Sequence, residues 1–155
     1  FETLLATAIE PMDIGRTVYI EGESARIGRL TLPRTLLGNM RSAPCIEIQA
    51  SPSERLAYLL RDYAYLGDDP EALAQRLEAL TELHGKEVVQ RWQTWARARQ
   101  LAPLFDELMR LHYDPHYGRS QARNFAQWQA RRVVAATDLS DAGIERLAQT
   151  VSASA

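Results

Sequence analysis

The sequence predicts an α/β fold with an incomplete, mainly parallel sheet and a large helical block in the middle. Three short runs of strand type, at 17–20, 45–48 and 132–136, are separated by stretches of helical periodicity. No hairpin turn is expected to join any two of them, so each strand would return to the sheet through helices, which favours parallel pairing. Residues 52–112 carry successive apolar stripes at helical spacing, and these make the block.

The elements follow in order. Leu4, Leu5, Ala8 and Ile9 recur at helical spacing until Pro11 and Gly15 end the pattern, which predicts a helix over 2–10. Thr17-Val18-Tyr19-Ile20 is β-branched and aromatic, is closed by Glu21 and Gly22, and reads as a buried strand. After a loop, Pro33 opens a helix over 33–40, and Pro44 precedes a second strand at 45–48. In Ser51-Pro52-Ser53-Glu54, Ser51 has the chemistry of a helix cap, Pro52 suits the first helical position, and Glu54 lies three residues past the cap. Leu56, Leu59, Leu60 and Tyr63 form the stripe of that helix. Asp69-Pro70-Glu71 starts the next, whose Leu73, Leu77, Leu80 and Leu83 stripe ends at Gly85. Further helices are expected over 86–99, 103–112 and 117–128, with a turn at Asp114-Pro115 and a third strand at 132–136. Asp138-Leu139-Ser140-Asp141 then caps a last helix carrying Ile144, Leu147 and Val151.

At 155 residues, with 46% hydrophobic and 25% charged side chains, the chain can bury a core of its own. One domain is expected over 1–150, with 151–155 as a frayed tail. No apolar run approaches the roughly eighteen residues of a membrane span, so no membrane partner is expected. Cys45 is the single cysteine and has no internal partner for a disulfide, which points to a cytoplasmic setting. Phe1 already stands inside helical periodicity, so further polypeptide is expected before it. The formal charge is only -2 but is unevenly spread. Between Ala25 and Ile46 stand Arg26, Arg29, Arg34 and Arg41 with no acid, and residues 110–132 hold five arginines against Asp114 alone. The intervening 62–87 stretch is acidic.

Ligands in parallel sheets collect beyond the carboxyl ends of the strands. Glu21, Glu23 and Ser24 would lie there, where an acid can hold magnesium or a water beside a nucleotide. A phosphate loop is absent from this chain, because the only lysine, Lys86, follows Gly85 but precedes Glu87. The stretch from His112 to Ser120 crowds two histidines, two tyrosines and Arg119. Such rings stack on unpaired bases while guanidinium groups meet phosphate oxygens, although a turn with core tyrosines fits the same residues. No metal site is expected: His112 and His116 straddle Asp-Pro and so would not share a helical face. Cys45 reads as a core thiol with nothing nearby to lower its pKa.

Set end to end, Val18-Tyr19-Ile20-Glu21-Gly22-Glu23-Ser24-Ala25-Arg26-Ile27-Gly28 with Leu32-Pro33 resembles a signature of the tRNA 2-selenouridine synthases. Ala43-Pro44-Cys45-Ile46-Glu47, Glu82-Leu83-His84-Gly85-Lys86, and His112-Tyr113-Asp114-Pro115 with Tyr117, Arg119 and Ser120 are similar to later motifs of that family, in the same order. The resemblance spans residues 1–138. It implies the C-terminal portion of a phosphate-loop NTPase-like domain, in a family that joins such a domain to a cysteine-bearing rhodanese-like one. It further implies a transferase that exchanges sulfur for selenium on wobble 2-thiouridine of tRNA through a geranylated intermediate. Selenophosphate and geranyl diphosphate would be substrates, and a nucleotide with magnesium is allowed. The catalytic cysteine and the phosphate loop have no counterpart here, so no catalytic residue is assigned to the chain.

On that resemblance Glu21, Glu23, Ser24 and Arg26 are expected to line a phosphate or selenophosphate crevice. His112, Tyr113, Asp114, Tyr117, Arg119 and Ser120, joined by Arg123, are expected to meet tRNA, with no role for DNA. Two rival readings are a fragment of another phosphate-loop kinase or hydrolase, and a non-enzymatic RNA-binding domain.

Overall fold

The computed structural model describes residues 1–22 and 24–153. The architecture is mixed α/β and mostly helical, with a small parallel sheet. The chain forms two compact units. Unit 1 comprises Phe1–Ile48, His116–Val134 and Thr150–Ala155, and unit 2 comprises Gln49–Pro115 and Ala135–Gln149.

Unit 2 contains the helical block. Helix α3 (Pro52–Asp62) begins as its sequence predicts, with Ser51 Oγ accepting from the Glu54 amide at 3.2 Å and Pro52 in the first turn. Helix α4 (Pro70–Glu78) repeats the device: Asp69 accepts from the Ala72 amide at 3.0 Å. The expected single helix to residue 84 is instead divided. The Thr81 hydroxyl bonds back to the Glu78 carbonyl, and a short helix α5 (Thr81–His84) follows. Leu83 consequently leaves the stripe and is exposed. Gly85 closes α5 at φ +83°, a conformation open to glycine, and α6 (Lys86–Arg97) starts there.

One face of α6 carries Val89, Trp92 and Ala96, all buried, against Leu73, Ala74 and Leu77 of α4 and Leu104 and Phe105 of α7 (Leu101–Leu108). Glu107 completes this packing electrostatically. Its carboxylate accepts from the Trp92 indole at 2.7 Å and from two nitrogens of Arg91.

The expected stop at Asp114-Pro115 does not occur. A π-helical turn over Met109–Tyr113 follows α7, and α8 (Asp114–Asn124) continues directly from it. Proline lacks an N–H and its ring crowds the carbonyl four residues back, so the wider π turn accommodates Pro115 without ending the helix. The helix expected over 117–128 is therefore displaced toward the N-terminus, and Trp128 lies in a short 3-10 turn, Trp128–Ala130.

Unit 1 holds α1 (Glu2–Ile9), which buries no residue, and α2 (Arg34–Ser42). The strand expected at 17–20 is not formed. Those residues have no regular structure, and Val18, Tyr19 and Ile20 are 50%, 45% and 53% exposed. A β-branched run has strand propensity, but a strand exists only through bonds to a neighbour, and the run pairs with no strand among the described residues. Tyr19 is tethered instead by its hydroxyl, which donates to the Val151 carbonyl at 3.1 Å.

An unpredicted hairpin, β1 (Arg26–Ile27) with β2 (Leu30–Thr31), stands in the expected loop, with Arg26 opposite Thr31 and Ile27 opposite Leu30. Gly28 takes φ +61° at the first turn position, which suits a two-residue hairpin turn. The strands expected at 45–48 and 132–136 are present as β3 (Ile46–Ala50) and β4 (Arg132–Ala136), neighbours in one sheet. They are half-buried, not enclosed: Ile48 and Val133 are exposed. Arg131 locks the approach to β4. Its guanidinium donates to Glu47 of β3 at 2.8 Å and to the Trp128 carbonyl at 3.0 Å, and it lies 4.4 Å over the Trp128 ring.

The last helix, α9 (Asp141–Ser152), begins at the expected capping run, where Ser140 Oγ accepts from the Gly143 amide. Within the expected frayed tail, residues 151 and 152 are helical and 154–155 lie outside the described residues.

Leu104 is fully buried whereas Ile14 is fully exposed. Leu104→Ala is therefore expected to cost about 2–5 kcal/mol of stability by transfer and cavity terms. Ile14→Ala should change it by less than about 0.5 kcal/mol. Urea unfolding of the two variants checks this, and equal midpoints would contradict the placement of the core.

Candidate functional site

The residues singled out by sequence separate between the two units. In unit 1, Gly22, Ser24 and Ala25 form one wall of a shallow recess. Leu37, Met40 and Arg41 of α2 form the second, and Asn124 with Phe125 the third. The space it encloses is about 30 Å³. That is far below the roughly 300–1,000 Å³ of pockets that enclose a small molecule, so the recess is a shallow surface depression.

The recess is built from α8 outward. Gln121 is only 3% exposed and donates to the Gly22 carbonyl at 2.9 Å. Gly22 lies so close to Phe125 that an added Cβ would stand 3.0 Å from the ring edge. These two contacts seat the loop carrying Ser24 against the end of α8. The Ser24 hydroxyl accepts from the Arg26 amide at 3.1 Å, which turns the chain into β1. Asn124 is oriented by donating to both the carbonyl and the hydroxyl of Ser120.

Glu21 is exposed in an irregular segment, not at the end of a strand, and Arg26 is exposed on the hairpin. Glu23 lies outside the described residues. Sequence reading missed Arg41, the half-buried cation of the recess, together with Gln121 and Asn124. Arg41 belonged to the basic stretch already noted, but nothing local marks it as lining a concavity.

Charge divides sharply between the units. Unit 1 holds nine arginines against six acids, a formal +3, and unit 2 holds nine cations against fourteen acids, a formal -5. Pairing divides in the same way. In unit 2, Arg55, Arg61, Arg91, Arg97, Arg110 and Arg146 each face a carboxylate. In unit 1, Arg16, Arg26, Arg29, Arg34, Arg41 and Arg123 make no side-chain ion pair among the described residues, and Arg131 is the arginine paired with a carboxylate. A guanidinium without a carboxylate keeps its donors available to an anion.

The later motif is split. Tyr117, Arg119, Ser120 and Arg123 are in unit 1, where Tyr117 meets Trp128 edge-on and Arg119 approaches His116 at 3.4 Å. His112, Tyr113 and Asp114 are in unit 2. Asp114 accepts from both terminal nitrogens of Arg55, at 2.6 and 3.0 Å, so its charge is already matched. His112 is hydrogen-bonded to His84.

Cys45 stands just before β3 and is partly buried, with its thiol directed to the Ala43 carbonyl. Burial pushes its pKa up, and Arg131, contrary to the expectation that nothing nearby would oppose this, pulls it part of the way down.

The comparisons with known proteins point to the same family. A family model described as the tRNA 2-selenouridine synthase AAA domain matches residues 1–82. A tRNA 2-selenouridine synthase from Marinobacter nauticus is 39% identical over 49 residues, covering 32% of this chain. The matched segment spans 13% of that relative's length. No solved structure matches.

Two outcomes are expected from this geometry. Gln121→Ala removes the donor to the Gly22 carbonyl and should cost about 1–3 kcal/mol, read from denaturant unfolding. Because a raised pKa leaves less thiolate, Cys45 should alkylate more slowly at pH 8 in the folded chain than in urea; equal rates would refute the protection.

Proposed function

The chain belongs to the tRNA 2-selenouridine synthase AAA domain family, and we propose that it is part of a cytoplasmic tRNA-modifying transferase. The reaction proposed for the whole protein replaces sulfur by selenium in the wobble 2-thiouridine of tRNA, through a geranylated intermediate. Selenophosphate and geranyl diphosphate are the proposed substrates, with a nucleotide and magnesium as a further ligand of a phosphate-loop NTPase-like domain. This stretch of chain carries no assigned catalytic residue and is expected to show no turnover alone.

The observation that carries the reading is the set of unpaired guanidinium groups in unit 1. A unit in which six arginines face no carboxylate among the described residues, in contrast to unit 2 whose arginines are largely paired, is suited to a polyanion. In this reading Arg119 and Arg123 meet phosphates of the tRNA backbone, and Tyr117 and Ser120 set the register of α8 against it. Arg41 and Ser24 in the recess, with Arg26 on the adjoining hairpin, hold one further anionic group, a phosphate or selenophosphate. His112, Tyr113 and Asp114 lie in unit 2, where Asp114 is paired with Arg55 and His112 with His84.

The test is tRNA affinity as a function of salt. In a protein containing this chain, Arg119→Ala and Arg123→Ala should each flatten the plot of log affinity against log salt by about 0.7, the single-strand value per phosphate contact. Arg97→Ala, at an arginine paired with Glu71 in unit 2, should leave the slope unchanged. Unaltered slopes in both unit 1 variants would overturn the assignment. Tight tRNA binding by the 155-residue chain, with no geranyl transfer by the whole protein, would favour a non-enzymatic RNA-binding role.

A further inference from the structure

His84 closes α5 and His112 lies in the π-helical turn Met109–Tyr113, yet His84 Nε2 and His112 Nδ1 are 3.0 Å apart. Both rings are half-buried. They meet edge-on, with centroids 5.2 Å apart and planes at 76°. The His84 ring also packs at 5.0 Å on Trp92, whose indole is held by Glu107, itself clamped by Arg91. His84 is thus positioned by a buried, hydrogen-bonded tryptophan. His112 is positioned by a π turn, a local widening of the helix that is frequent at functional sites.

Two imidazoles at this separation can share a proton or share a metal ion. In the first case one ring donates N–H to the lone pair of the other. In the second both facing nitrogens present lone pairs, and each ring keeps its proton on the far nitrogen, Nδ1 of His84 and Nε2 of His112. Exchange between the two states relocates one proton between nitrogens of the same ring and releases none overall. The geometric change is small. Nitrogens at about 2.0–2.1 Å from a tetrahedral ion lie roughly 3.3 Å from each other, a few tenths of an ångström beyond the distance here.

We propose that His84 Nε2 and His112 Nδ1 form a chelating pair for one divalent transition-metal ion of the zinc type. Neutral imidazole suits zinc, copper or nickel and not magnesium or calcium, which take oxygen ligands. A bound ion joins α5 to the π turn across 28 residues of sequence, and so pins the packing beside Trp92. The proposal stands independently of tRNA recognition.

Zinc(II) titration of the full 155-residue chain tests it, by calorimetry and by NMR of ¹⁵N-labelled imidazole rings. One equivalent should shift the ring nitrogens of both His84 and His112 and abolish any N–H···N coupling between them. His84→Gln and His112→Gln should each weaken binding by more than the roughly 10–100-fold that loss of a supporting, non-ligating partner causes. Zinc binding undiminished in the His84→Gln/His112→Gln double variant would overturn the proposal. So would wild-type rings that keep their mutual hydrogen bond at saturating zinc, which leaves a histidine pair only. The wild-type NMR reading decides the matter even where a variant fails to fold.

Discussion

The indole N–H of Trp92 has to find an acceptor in a place that water does not reach, and much of unit 2 is arranged around that requirement. Trp92 is fully buried and brings a large apolar surface to the core. An unsatisfied donor there would cancel part of the gain. Glu107 supplies the acceptor, but it brings a carboxylate to the edge of an apolar cluster, and Arg91 neutralises it with a forked pair. Each step constrains the next. The indole fixes the rotation of α6, the carboxylate fixes α7, and the ring of Trp92 sets where His84 can lie.

Unit 1 relies more on polar anchors. Its hairpin has two residues per strand, and the sheet of β3 and β4 has only two strands, so the ladders alone provide little stability. Arg131 compensates by joining Glu47, the Trp128 carbonyl and the Trp128 ring. Gln121 does the same for the loop at Gly22. Arg132 and Arg119 have partners of their own in the Val151 carbonyl and His116, whereas Arg16, Arg26, Arg29, Arg34, Arg41 and Arg123 face no carboxylate among the described residues.

Local features were legible along the chain because they depend on neighbours in sequence. The caps at Ser51, Asp69 and Ser140, the glycine at 85 and the runs at 45–48 and 132–136 all appear where their residue types place them. The hairpin at 26–31 is equally local, since Gly28-Arg29 between Ile27 and Leu30 is a turn signal, but its two-residue strands are too short to give a strand pattern in sequence. The run at 17–20 failed for a different reason: its residues have strand propensity and lack a strand to pair with among the described residues. Asp114-Pro115 looked like a stop because the π turn that accommodates it is a property of the whole helical run.

The sequence by itself determined the helical block, the two strands of the parallel sheet, the placement of the caps, the charge of each segment and the family motifs in their order. Each of these is set within a few residues by backbone chemistry and periodicity. Only the tertiary structure decided which arginines are matched and which are left open. It alone brought Arg41 to a recess with Ser24 and Asn124, and His84 to within 3.0 Å of His112. Ion pairs, recesses and shared ligand positions depend on atoms far apart in the chain, whose separation is fixed by packing and not by spacing in sequence.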